Sequence, residues 1–172
     1  RSVDVAEEAV MPDVELPFDV EAWWAEHGEY VADLTGFDRD EAEYYAKDEW
    51  RVLKRQFEKQ GGLEVFRAVT LDAETAEEYR QADGPVAVGR FWTRDSLVAR
   101  SWSSSDDYDG HEAPVDGRRH MLRAAVPLES VDAAGTVAAR LASSYEDEIR
   151  LSPGAKVRLS DIEDLSPPAP GR

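Results

Sequence analysis

Apolar residues recur along the chain in two rhythms, and the change from one to the other separates a helical first part from a strand-rich second part. Ala46, Trp50, Leu53 and Phe57 fall at steps of four, three and four, one face of a helix. Asp38 can cap that helix, Glu41 stands where a capping box needs it, and Phe37 can staple onto Ala42. Gly61-Gly62 ends it. The stripe fits a core-facing surface better than a partner-binding one. Upstream, Asp19 caps a helix that starts at Val20 and breaks at Gly36.

From Leu63 the period is two. Residues 63–71 predict a strand with Val65, Arg67 and Val69 on one face. Asp72 caps a short helix to about Ala82, and Asp83-Gly84-Pro85 turns the chain. Residues 86–92 predict a second strand. Thr93 then caps a helix over 94–102, with Trp92 stapled onto Leu97. Residues 103–118 read as a polar loop. Asp107, Asp109, Gly110 and Asp116 match a calcium loop only partly, so an active-site flap or a solvent loop fits better. Residues 120–128 predict a third strand, and 129–142 are ambiguous, with Val131 and Val137 marking a bent crossover. Residues 145–151 predict a strand, Ser152-Pro153-Gly154 a turn, and 155–160 its antiparallel hairpin partner. Helices first and mostly antiparallel strands later make an α+β pattern.

The expected organisation is a flexible acidic lead-in over 1–17, one domain over 18–165 and a disordered tail over 166–172. The domain divides into a helical part, 18–62, and a β core, 63–165. At 172 residues, with five Trp, six Tyr and five Phe, one core can be filled. There is no cysteine, and His27, His111 and His120 lack ligand spacing, so no metal is expected. A net charge of −17 argues against a broad nucleic-acid grip and against anionic membranes. No run approaches about 18 apolar residues, so no membrane helix is expected. No leader is visible, and a cytoplasmic location, in the producing or a target cell, is the expectation. The chain begins at Arg1, which leaves secretion as part of a longer chain open.

Two features carry chemistry. Arg67 sits between two valines and needs an anion, a salt bridge or a route to water. On a strand, Glu146, Glu148 and Arg150 share a face, with Ile149 and Leu151 opposite. Two carboxylates there suit split acid/base roles, or stabilisation of a developing cation while a nucleophile is oriented. Departure of nicotinamide from ribose generates such a cation and needs no acid. A site for it wants a carboxylate at the ribose, an arginine on the pyrophosphate and an aromatic wall. Glu148, Arg67 and Trp92 meet those needs.

The order of these parts resembles the mono-ADP-ribosyltransferase family, in the branch with Arg, Ser-Thr-Ser and Glu-x-Glu motifs. Phe66-Arg67-Ala68-Val69 resembles the first motif. Glu146-Asp147-Glu148, followed by Ile149-Arg150-Leu151-Ser152-Pro153-Gly154, resembles the third. The middle motif departs: Phe91-Trp92-Thr93 stands there, Thr93 alone matching in type, and Ser101-Trp102-Ser103 is a rival placement. The resemblance spans about residues 63–162. It implies helices packed on a split, mostly antiparallel two-sheet β core, and NAD as co-substrate. Glu148 is then the catalytic glutamate and Glu146 positions or deprotonates the acceptor. Arg67, Trp92 and Thr93 bind NAD, and Tyr145 contacts the substrate. A Glu two before the catalytic one implies arginine acceptors, so a protein acceptor is expected. A nucleic-acid acceptor stays open through a local basic groove of Arg118, Arg119 and Arg123. Toxin, phage effector and regulator are all compatible settings. The alternatives are an NAD glycohydrolase of the same fold and a non-catalytic interaction or phage-structural module.

Overall fold

The computed structural model describes residues 14–102 and 116–166. Most of the polar loop over 103–118, the bulk of the calcium-loop motif, Ser103, His111, and nearly all of the lead-in and tail lie outside the described residues. The elements are α1 (Val20–Thr35), α2 (Arg39–Gln60), β1 (Leu63–Leu71), α3 (Ala73–Gln81) and β2 (Phe91–Thr93). Then come α4 (Ser96–Ser101), β3 (Arg118–Val126), α5 (Ala133–Ala142), β4 (Glu148–Arg150) and β5 (Leu159–Asp164). Short 3₁₀ turns cover Leu128–Ser130 and Ser144–Glu146.

The first helices follow local rules. Asp19 accepts a hydrogen bond from the Glu21 amide, and Gly36 closes α1 in a left-handed conformation. Asp38 and Glu41 form a complete capping box on α2. Phe37 stacks on Tyr45, with ring centroids 4.6 Å apart. Ala46, Trp50, Leu53 and Phe57 are all buried, as their spacing predicts. Each large residue of that stripe stabilises the fold by at most roughly 1.5–3 kcal/mol. Asp72 caps α3 through the Thr75 amide.

Among the described residues the strands form one antiparallel sheet in the order β4-β2-β1-β3-β5. The α+β pattern holds, and a single sheet stands where a split two-sheet core was expected. The hairpin expectation fails for a traceable reason. After Ser152-Pro153-Gly154 the chain does not return along β4. Leu151 bridges to Val131 and Val157 bridges to Val86, and β5 pairs with β3 at the opposite edge. The second strand is shorter than predicted. Gly89 takes φ +100°, so the extended run breaks and only Phe91–Thr93 joins the ladder. Asp95, not Thr93, caps α4. Leu97 is 73% exposed while Trp92 is fully buried, so no staple forms between them.

The ambiguous stretch 129–142 resolves into α5, capped by Asp132 through the Gly135 amide. This helix covers the free edge of β4. The Thr136 hydroxyl donates to the Arg150 carbonyl at 3.1 Å and accepts from the Arg150 amide at 2.9 Å. The Asp132 amide donates to the same carbonyl at 2.8 Å. With both backbone groups of Arg150 spent this way, that part of the edge is blunted against another strand. Gly135 makes the approach possible, because a Cβ there would lie 2.9 Å from Cδ of Arg150. One hydrophobic cluster unites the helices with the sheet, running from Trp23 and Leu53 to Val65, Leu122, Trp92 and Ile149.

Candidate active site

The sheet order sets the three strands that carry the motifs side by side, β4 against β2 and β2 against β1. Across them Phe66 pairs with Thr93, and Thr93 pairs with Glu148. Paired residues of an antiparallel ladder share a face, so these three form one row. Phe91 pairs with Arg150 and joins the same face.

Neighbouring residues alternate faces, so Arg67 takes the other side with its partner Leu122. That side is the core, where Val65, Leu122, Trp92 and Ile149 are fully buried. Arg67 is only 4% exposed, and its Nη1 donates to the Phe91 carbonyl at 2.9 Å. Its charge also reaches Tyr79 of α3, whose phenol is held above its ordinary pKa chiefly by burial. Trp92 has no exposed surface either, and its indole N–H donates to the Gly89 carbonyl at 3.0 Å. The expected grouping is therefore divided. Glu148 and Thr93 lie on one face, and Arg67 and Trp92 lie on the other, inside the core.

Glu146 is not on the strand face that its spacing suggested. It belongs to the 3₁₀ turn Ser144–Glu146, and Asp147 follows in a left-handed conformation with φ +48°. β4 starts only at Glu148. Thr93 ties the turn to β2: its hydroxyl donates to the Glu146 carbonyl at 2.6 Å and accepts from the Asp95 amide at 3.0 Å. Tyr145 is 76% exposed at the tip of the turn.

The Glu148 side chain is 12% exposed and bound to Arg150, whose Nε donates to Oε2 at 2.9 Å while Nη2 lies 2.8 Å from the same oxygen as an ion pair. The Arg150 guanidinium also lies 4.9 Å from the centre of the Phe91 ring, and Arg90 lies 6.0 Å from it. Burial pushes the Glu148 carboxyl above the usual glutamate range; Arg150 opposes this, and the nearby charge of Glu146 adds to it. Spacing put Arg150 on this face but did not reveal that it holds Glu148. Neither Phe91, lying under two guanidiniums, nor the left-handed turn at Asp147 is signalled by spacing.

Comparison with family models, curated proteins and solved structures finds no match for this chain. No described helix is long and apolar enough to cross a membrane. Among the described residues no cluster of His, Cys, Asp or Glu is arranged to hold a metal ion.

The raised carboxyl carries a sign. A glutamate whose folded pKa exceeds its unfolded one binds its proton more tightly in the native state. Its stabilising contribution is complete below the unfolded pKa and is lost as pH rises through the folded one. The stability of the wild type relative to Glu148→Gln is therefore expected to fall as pH rises through a midpoint above the ordinary glutamate value. Urea titrations of both proteins across that range measure it. A difference that grows with pH would mean that Arg150 outweighs burial.

Proposed function

We propose that the chain is an NAD-dependent mono-ADP-ribosyltransferase that moves ADP-ribose from NAD to a macromolecular acceptor, with a protein arginine favoured. The observation that carries this reading is the Glu148 carboxylate. It is largely withdrawn from water, fixed by Arg150 and aligned with Thr93 on the face of the sheet opposite Arg67 and Trp92. A negative charge held in poor solvent stabilises a developing cation more than the same charge in water does.

In the proposed step the bond from ribose C1′ to the nicotinamide nitrogen breaks. The electron pair leaves with nicotinamide, which departs neutral. Glu148 stabilises the resulting oxocarbenium and accepts a hydrogen bond from the ribose 2′-hydroxyl. The acceptor nitrogen then bonds to C1′ and gives its proton to Glu146 or to water. Tyr145, exposed on the turn beside them, is the proposed contact with the acceptor.

A second reading, a non-catalytic module, is favoured by the placement of Arg67 and Trp92. Both face the core, so the arginine and aromatic wall that NAD binding called for are not presented beside Glu148. One experiment separates the readings. The protein is incubated with NAD labelled in its adenylate and a cell lysate, while nicotinamide release is followed by chromatography. Label on protein with stoichiometric nicotinamide is the expected result. Nicotinamide without label indicates a glycohydrolase. Neither product, together with an unchanged melting temperature in millimolar NAD, would reject the enzyme, because ligand at 100 times its Kd stabilises by about 2.7 kcal/mol.

A further inference from the structure

Arg140 of α5 bridges two carboxylates that come from distant parts of the chain. Its Nε donates to Glu49 of α2 at 2.6 Å, and its Nη1 donates to Asp147. The Arg140 side chain is 12% exposed. Burial there works against its charge, and the bonds to Asp147 and Glu49 more than offset it, so its pKa is raised. A guanidinium so placed needs both partners, since a buried charge with one partner removed is costly. Its planar fork suits it to reach two anions at once.

The position of Asp147 gives the bridge its consequence. Among the described residues it is the non-glycine residue with positive φ. Left-handed backbone is tolerated by Asp but favours departure when nothing holds it. Asp147 also accepts the Arg94 amide at its carbonyl, at 3.1 Å, which extends the ladder beyond Thr93. Its neighbour Glu148 opens β4. Whatever fixes Asp147 therefore fixes where the Glu148 side chain leaves the backbone.

We propose that the Glu49–Arg140–Asp147 bridge is a clamp through which α2 and α5 hold the turn ahead of β4 and so set the position of Glu148. Arg140 is a positioning residue of the site, and the helical part of the chain takes part in building it. The catalytic consequence rests on the transferase reading; the structural consequence does not.

The test follows the Glu148 carboxyl directly, by ¹³C NMR of protein labelled at glutamate side chains. The resonance is assigned by its loss in Glu148→Gln. In Arg140→Met the turn is released, water reaches the carboxyl, and its titration midpoint moves toward the ordinary glutamate value. Arg39→Met, which breaks surface ion pairs with Glu21, Asp40 and Glu43 at the start of α2, leaves it in place. A brace with no influence on Glu148 would lower the melting temperature and leave that midpoint where it was, and this result in folded Arg140→Met overturns the clamp. If Arg140→Met does not fold, Glu49→Gln removes one arm only. A smaller movement in the same direction supports the clamp, and an unmoved midpoint overturns it. With wild-type turnover in hand, kcat for nicotinamide release falls by at least about tenfold in Arg140→Met while KM for NAD changes less than twofold. If the wild type releases no nicotinamide, the transferase reading fails, and the titration still decides the clamp.

Discussion

Glu148→Gln is expected to cut nicotinamide release and ADP-ribose transfer by about 100- to 1000-fold, the range seen when one preorganised electrostatic partner of a transition state is removed. The substitution keeps shape and one acceptor oxygen, so the Arg150 fork still finds a partner. Backbone pairing with Thr93 is untouched. What disappears is the negative charge that would face the oxocarbenium, and it disappears for transfer and hydrolysis alike, because both pass through the same departure of nicotinamide. Chromatographic turnover assays and thermal melts on one preparation measure the two sides of the claim. Turnover within twofold of wild type, in a folded protein, would remove Glu148 from the chemistry and leave the transferase reading without its central residue.

The sequence made some elements legible because their signals are local. α2 announces itself through four buried residues on one face and a capping box, both contained within its own length. β1 is nine residues long, enough for a period of two to stand out although Ala68 is buried as well. β2 and β4 have three residues each, too few to show a period, and their place in the sheet comes from pairing with each other across more than fifty residues. The supposed hairpin failed for the same reason: a Pro-Gly turn was visible, while the bridges from Leu151 to Val131 and from Val157 to Val86 were not.

The site divides along the same line. Alternation along β1 placed Arg67 among apolar residues, and alternation along the 145–151 run placed Glu148 opposite Ile149. Whether those two faces coincide depends on register across three strands, which the chain does not spell out in any one segment. The register sets them apart. In the Glu-x-Glu pattern Asp147 is only the spacer. Its left-handed turn keeps Glu146 out of β4, which starts only at Glu148, so a spacing of two no longer means a shared face. The only advance signal was chemical: Asp is among the few residues that accept this conformation.

Trp92→Ala is expected to destabilise the fold by roughly 3–5 kcal/mol, the range for removing a large aromatic from a packed core. At about 2–4 °C for each kcal/mol in a domain of this size, the melting temperature should fall by about 6–20 °C. Trp92 has no exposed surface and pairs with the equally buried Ile149, so the truncation opens a cavity at the centre of the β4-β2-β1 layer. It also strips the Gly89 carbonyl of its hydrogen bond. Trp92→Phe separates the two effects, since the ring is largely kept and the N–H is lost; Gly89 is only half-buried, so the cost of its unpaired carbonyl should stay below the roughly 1–3 kcal/mol of a fully buried acceptor. Differential scanning calorimetry of the three proteins, with and without NAD, decides what the indole is for. A wall of an open nicotinamide pocket would lose the NAD-dependent shift while its own melting temperature hardly moved. A core residue loses stability first, in the absence of any ligand, and that is the outcome its burial demands.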